Sequence, residues 1–277
     1  MKNYSIIVKI VFAVVVGLFV GRVVTPIFNL ESPWASFSIS TGITIFLLII
    51  IEIIGSKLTL GRKKSIQINV IKNLHKLKKH EIHKATLVLA DAFKMDPLFK
   101  SLFGEGRKNS YKYTMAAKFM IRYCHKYGHV YASSDKFEGI MAITQDEYSY
   151  MSLWRMIKSG SIFPFLRIGF KSFMKIASSL SPIDGRRKKH MKNKSFIYLQ
   201  IIGVSSENQG KGHGGKLLKE LIAMTNEVKL PIYLETETED NVRLYERFGF
   251  KTLEHMKLPV IKQPMWLMIR DSKKLKK

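Results

Sequence analysis

Val204-Ser-Ser-Glu-Asn-Gln209-Gly210-Lys211-Gly212-His213-Gly214-Gly215-Lys216-Leu217-Leu218 separates an apolar run, Ile197 to Val204, from a run of helical period, Leu217, Leu218, Leu221 and Ile222. A glycine-dense turn between a buried strand and a helix exposes backbone N–H groups at the positive end of the helix dipole, a geometry that binds phosphate. Three spacings overlap here. Gly210, Gly212 and Gly215 spell G-x-G-x-x-G, Gly210 to Lys216 spell G-x-x-x-x-G-K, and Gln209, Gly212 and Gly214 spell Q-x-x-G-x-G. A nucleotide P-loop needs Ser or Thr after the lysine to hold Mg²⁺, and position 217 is Leu. A dinucleotide fingerprint opens a six-strand sheet, and the roughly sixty residues that follow are too few for most of that fold.

The third spacing continues downstream. Pro231-Ile-Tyr-Leu-Glu235-Thr236 reads as a short buried strand. Asp240 to Phe250 reads as a short helix with Asp240 as N-cap and Gly249 as its stop. Phe250 to Leu258 and Met265 to Arg270 read as two closing strands. In this wording, IGV…NQGKGHG…LL…PIYLET…NVRLYERFGF…WLMIR, the chain resembles the GNAT (GCN5-related N-acetyltransferase) superfamily, nearest to its puromycin-type acetyltransferase branch. The resemblance is dense over Phe196 to Arg270 and thin over Ile66 to Ser195. It implies an α/β fold with a mixed, mostly antiparallel sheet flanked by helices. Acetyl-CoA is the implied co-substrate, and no metal is implied.

The resemblance also assigns roles. The backbone of Ile202, Gly203 and Val204 would receive the pantetheine arm, with the Ile202 N–H facing the thioester carbonyl. Gln209, Gly210, Lys211, Gly212, His213 and Gly214 would wrap the pyrophosphate. Asn241 would contact pantetheine, and Tyr245 would protonate the departing thiolate. Asn241 and Tyr245 lie four apart and share a helix face. A tyrosine of ordinary pKa near 10 is protonated at neutral pH, as an acid must be. Glu235, beside the expected acceptor pocket, is the candidate base, directly or through a water. Glu237 and His190 are further candidates.

The chain has 277 residues, 46% of them hydrophobic, and a formal net charge of +25. The charge implies anionic partners such as lipid, polyphosphate or nucleic acid. No stacking-aromatic motif or recognition helix supports nucleic acid. The single cysteine, Cys124, excludes a disulfide within one chain and a Cys-rich metal site.

Residues 1–60 differ in kind. Residues 5–27 are apolar except for Lys9 and Arg22, and residues 37–54 are apolar except for small polar residues and Glu52. Each is near the twenty or so residues that span a bilayer. Pro26, Pro33 and Trp34 mark a turn between them, and Lys57 with Arg62-Lys63-Lys64 follows. The positive-inside rule puts both ends of this hairpin, and the catalytic domain, on the cytoplasmic face of the cell membrane.

Residues 61–65 are a basic linker and 66–277 the acetyltransferase domain. Within it, residues 65–74 alternate as a first strand. Lys78 to Phe93 has helical period and ends at Asp96-Pro97, in an A-F-x-x-D-P wording of the resembled family. Tyr111 to Lys126 reads as a helix, and Gly128 to Ser133 and Phe137 to Thr144 as paired strands. Residues 148–190 form a helical insertion that interleaves Trp154, Phe163, Phe165, Leu166 and Phe170 with Arg155, Arg167, Lys171 and Lys175. Two readings fit it: an acceptor-binding cover over the active site, or a basic amphipathic segment on the lipid surface. Arg186-Arg187-Lys188-Lys189 reads as a solvated or lipid-facing loop.

The expected function is a membrane-anchored N-acetyltransferase that moves an acetyl group from acetyl-CoA to a primary amine by direct attack. The amine belongs to a small molecule or an envelope component, and the lipid partner is anionic. The alternative is a non-catalytic acyl-CoA-binding membrane sensor or scaffold.

Overall fold

The computed structural model describes residues 70–272. Both apolar segments of the expected hairpin, and half of the expected first strand, lie outside them. Among the described residues no helix is long and apolar enough to cross a membrane. Ser152–Trp154 group apart from the main unit, which comprises the rest of the described residues.

The main unit is a seven-stranded sheet in the order β1-β2-β3-β4-β5-β7-β6. The strands are β1 (His75–Lys76), β2 (Gly128–Ala132), β3 (Gly139–Gln145), β4 (Ile197–Val204), β5 (Ile232–Thr236), β6 (Lys251–Lys257) and β7 (Pro264–Arg270). Every neighbouring pair is antiparallel except β4 and β5. The helices are α1 (Ile82–Ala92), α2 (Pro97–Phe103), α3 (Ser110–Tyr127), α4 (Leu153–Lys158), α5 (Ile162–Arg167), α6 (Phe170–His190), α7 (His213–Glu227) and α8 (Glu239–Arg247). The described end of the expected first strand, residues 70–74, forms no strand, and pairing begins only at His75.

Alternation along β4 sorts the helices onto two faces. A Cβ placed on Gly203 would meet Ala92 at 2.9 Å, Leu89 at 3.0 Å and Phe93 at 3.1 Å, so α1 presses on that face. The next residue, Val204, points the other way, with its Cγ2 3.1 Å from where a Cβ on Gly139 would stand and 3.5 Å from one on Gly214 at the start of α7. The α1 side is filled by Ala85, Leu89, Ala117, Ile121, Ile140 and Ala142. Leu217, Leu218 and Leu221 bury the apolar stripe of α7. Farther along the sheet, Ile183 and Met191 close a second cluster over Phe196, Tyr198, Tyr233 and Leu267.

Two sequence expectations need correction. Arg186 to Lys189 are not a loop but the last turn of α6, which runs through Pro182 to His190. The basic run kept its charge pattern, but helical period turned Arg187 alone into the core. The N-cap of α8 is Thr238, not Asp240: the Thr238 hydroxyl accepts from the Asn241 N–H at 3.2 Å. Asp240 sits in the first turn, where its carboxylate pairs with Arg243 and favours the helix dipole.

Candidate active site

The site begins where a ladder fails. β4 and β5 are in register only at Ile197↔Ile232 and Tyr198↔Tyr233. Beyond Tyr198 the edge of β4 that faces β5 pairs with no strand among the described residues, and a gap opens between the two.

A bulge decides which amides face the gap. Ile143 pairs with Leu199 and Ala142 with Ile201, so Gln200 is an extra residue in β4. At one end of β4 the Ile197 N–H bonds the Pro231 carbonyl, toward β5, at 2.9 Å. At the other the Ser205 N–H bonds the Glu138 carbonyl, toward β3, at 2.9 Å. Alternation back from Ser205 turns the N–H of Ile202 and Val204 toward the gap. Without the extra residue the Ile202 amide would face β3.

The glycine loop closes the wide end of the gap. Gly210 and Gly212 have φ of +78° and +86°, and Gly212 is the left-handed N-cap of α7. No heavy atom would crowd a Cβ at either position, so their glycines answer to backbone conformation and not to lack of room. The first backbone bond of α7 runs from the Lys216 N–H to the Gly212 carbonyl at 2.9 Å. The amides just ahead of it are the unpaired donors of a helix N-terminus. This cradle fits a diphosphate.

Side chains fix the loop instead of reaching out of it. Gln209 Nε2 donates to the Val204 carbonyl at 3.1 Å, folding the loop back on its strand. Ser206 donates its N–H and its hydroxyl to Asp91 Oδ2 at 2.7 and 2.8 Å, tying the loop to the end of α1. Lys94 and these donors hold Asp91 below its ordinary range. Lys216 Nζ donates to the Ser133 carbonyl at 2.6 Å. His213 lies 4.0 Å from Glu138. Burial works to raise that carboxyl, but hydrogen bonds from its own amide, Ser134 and Ser133 outweigh it and bring it down to about 2. Lys211 is exposed.

The far wall is β5 and α8. Tyr245 is buried, its ring edge-on to Phe250 with centroids 5.4 Å apart. Burial first, and then the nearby Glu237, hold its hydroxyl protonated well beyond neutral pH. Asn241, one turn earlier, is half-buried. Glu237 follows the end of β5, and burial together with the adjacent Asp96 carboxyl raises it to about 9. Glu237 is therefore protonated near neutrality, with its carboxyl hydrogen-bonded to that of Asp96. Asp96 is also the N-cap of α2, accepting from the Phe99 N–H at 2.8 Å. Phe93 stacks on Phe99 beside it, with centroids 4.7 Å apart.

Glu235 is engaged elsewhere. Its carboxylate meets Arg187 Nη1 at 3.0 Å and accepts the Tyr198 hydroxyl. Arg187 also pairs with Asp184, donates to the Ser149 carbonyl at 3.0 Å and lies over the Tyr198 ring. Burial pushes Glu235 above the ordinary carboxylate range, against the pull of Arg187 and Tyr198. His190 is half-buried and meets Glu254 at 2.6 Å. Cys124 is fully buried, and burial pushes its thiol up, so it is no nucleophile.

Sequence reading missed Arg187, and it took Asp96 only as a helix stop. An Asp-Pro dipeptide with an aromatic on either side signals a capped helix start, and that signal hid the acid facing Glu237.

Residues 179–252 match the family model described as the acetyltransferase (GNAT) domain. A Schizosaccharomyces pombe protein described as an uncharacterized N-acetyltransferase is 27% identical over 194 residues, covering 68% of this chain and 78% of that one. Among solved structures, arylalkylamine N-acetyltransferase 2 from Aedes aegypti superposes with a TM-score of 0.52 at 15% identity, covering 72% of this chain and 98% of that one. The C-terminal condensation domain of Ebony, bound to β-alanyl-dopamine, gives a TM-score of 0.51 at 9% identity, covering 72% and 97%. At those identities the likeness shows a shared fold. With the family match over residues 179–252 and the relative beside it, the chain is an acetyl-transferring enzyme. GNAT enzymes use acetyl-CoA as co-substrate.

Proposed function

We propose that the protein is a membrane-anchored N-acetyltransferase whose acceptor is a primary amine. The observation that carries the reading is the gap between β4 and β5, with the amide cradle at its wide end and Tyr245, Glu237 and Asp96 along its far side.

The Gly210–Gly215 amides bind the diphosphate, and Asn241 takes the pantetheine arm. The Ile202 N–H donates to the thioester carbonyl, where negative charge develops on attack. The Asp96–Glu237 carboxyls attract the ammonium, and the pair accepts its proton once Glu237 is ionised. The freed amine attacks the carbonyl carbon. As the C–S bond breaks, the Tyr245 hydroxyl gives its proton to the sulfur, and the amide and free CoA leave. Glu235 holds α6 to the sheet in this reading, and the base is the pair one turn of chain farther on.

Anchoring rests on the sequence alone, through residues 5–27 and 37–54. The acceptor is a small or envelope-borne amine, and the puromycin-type wording favours a compact one. An amine screen monitored by free-thiol release tests the reading. Acetyl-CoA binding with no turnover on any amine would instead favour an acyl-CoA sensor.

A further inference from the structure

Exposed large apolar side chains are few among the described residues, and three of them fall within ten positions: Ile157, Phe163 and Leu166. Phe163 and Leu166 are 63% and 65% exposed. They stand three apart on α5, and Arg167 is four from Phe163, so the three share a face. The opposite face of α5 is the packed one. Pro164 is buried, and Phe165 sits between Phe119 at 4.9 Å and Phe173 at 5.2 Å, ring to ring. Helix α5 therefore has its core contacts already, and Phe163 and Leu166 are surplus to them.

Basic groups border this face. Arg167 and Lys171 are exposed beside it, across the turn at Gly169. Among residues 155–175 there are five lysines and arginines and no acidic residue. Apolar tips inside a cationic border match an anionic bilayer, which takes the tips among its acyl chains and the cations at its headgroups. The chain also has the means to be there. Only 15 residues separate residue 54 from residue 70, a reach of at most about 50 Å.

We infer that the Phe163–Leu166 face of α5, with Arg167 and Lys171, docks the catalytic domain on an anionic lipid surface. The inference rests on the membrane reading above, and it adds a second, reversible contact that sets which side of the domain faces the bilayer. Because α5 and α6 belong to the helical insertion, docking holds that insertion at the lipid surface.

The test uses the full chain with Leu166→Cys carrying an environment-sensitive fluorophore. Native Cys124 is buried and does not compete for label. On vesicles containing phosphatidylglycerol the label is expected to shift to the blue and to be quenched by nitroxide-bearing lipid. On phosphatidylcholine alone the quenching should be clearly weaker. The neutralisations Arg167→Gln and Lys171→Gln should weaken docking by about fivefold each. Thiol release with a soluble amine should not change, which also reports an intact fold. A solvent-like label on anionic vesicles overturns the inference, whether or not the chain stays with the vesicles. Equal quenching on both lipids overturns it too, and a label already shielded without lipid points to a second copy of the chain. Retention after alkaline carbonate reports on residues 5–54 separately, so the two readings fail independently.

Discussion

Arg187 on α6 and Glu235 on β5 form a buried ion pair, Nη1 to Oε1 at 3.0 Å, with both side chains less than a tenth exposed. It joins the helical insertion to the sheet beside the point where β4 and β5 part. Tyr198, the last paired residue of β4, reaches the same carboxylate, so a side-chain bond links the two strands where their pairing ends.

Removing one member of such a pair strands a charge in the core. Arg187→Met should cost about 3–5 kcal/mol, and adding Glu235→Leu should recover most of it. The single variant's deficit should shrink as pH falls. Its lone Glu235 has a folded pKa raised by burial, so stability is present below the unfolded value near 4.5 and lost as pH climbs. Thermal melts from pH 4.5 to 8 check both points.

Glu235→Gln separates architecture from catalysis. Its turnover per folded molecule should stay within a few-fold of the parent, whereas Asp96→Asn should lower it by about 10²-fold. Single-turnover thiol release at a fixed pH makes the comparison. A collapse in Glu235→Gln with an unchanged melt would return the base to Glu235.

Tyr245→Phe should reduce kcat by about 10²-fold and leave the KM for acetyl-CoA nearly unchanged. The ring contact with Phe250 survives the change, so the melting temperature should hold. Steady-state kinetics beside a melt are sufficient.

The raised Glu237 carboxyl predicts a pH profile. Turnover should rise with pH as Glu237 gives up its proton near pH 9 and the pair becomes able to take one from the ammonium. Glu237→Gln should remove that limb. Stability carries the opposite sign. Glu237 has a raised folded pKa, so its contribution is fully present below about 4.5 and is lost progressively as pH rises toward about 9. Glu237→Gln should flatten that loss in melts taken between pH 6 and 9.

Gly212→Ala puts a side chain where φ is +86°. The left-handed conformation should cost about 1–2 kcal/mol. A loop that relaxes to avoid it turns its amides off the diphosphate, so acetyl-CoA should bind about tenfold more weakly by calorimetry.

The sequence by itself determined the strand, the glycine turn and the helix after it, because apolar period, left-handed glycines and a helix start are local properties. It put Tyr245 on the same helix face as Asn241 for the same reason. Only the tertiary structure decided what each acid does. Glu235 and Glu237 stand two apart in one run, yet one meets Arg187, 48 residues back, and the other Asp96, 141 residues back. No local pattern encodes those partners. The bulge at Gln200 is equally silent in the sequence, since one extra residue shows only against the strand it pairs with, and it turns the Ile202 amide into the gap.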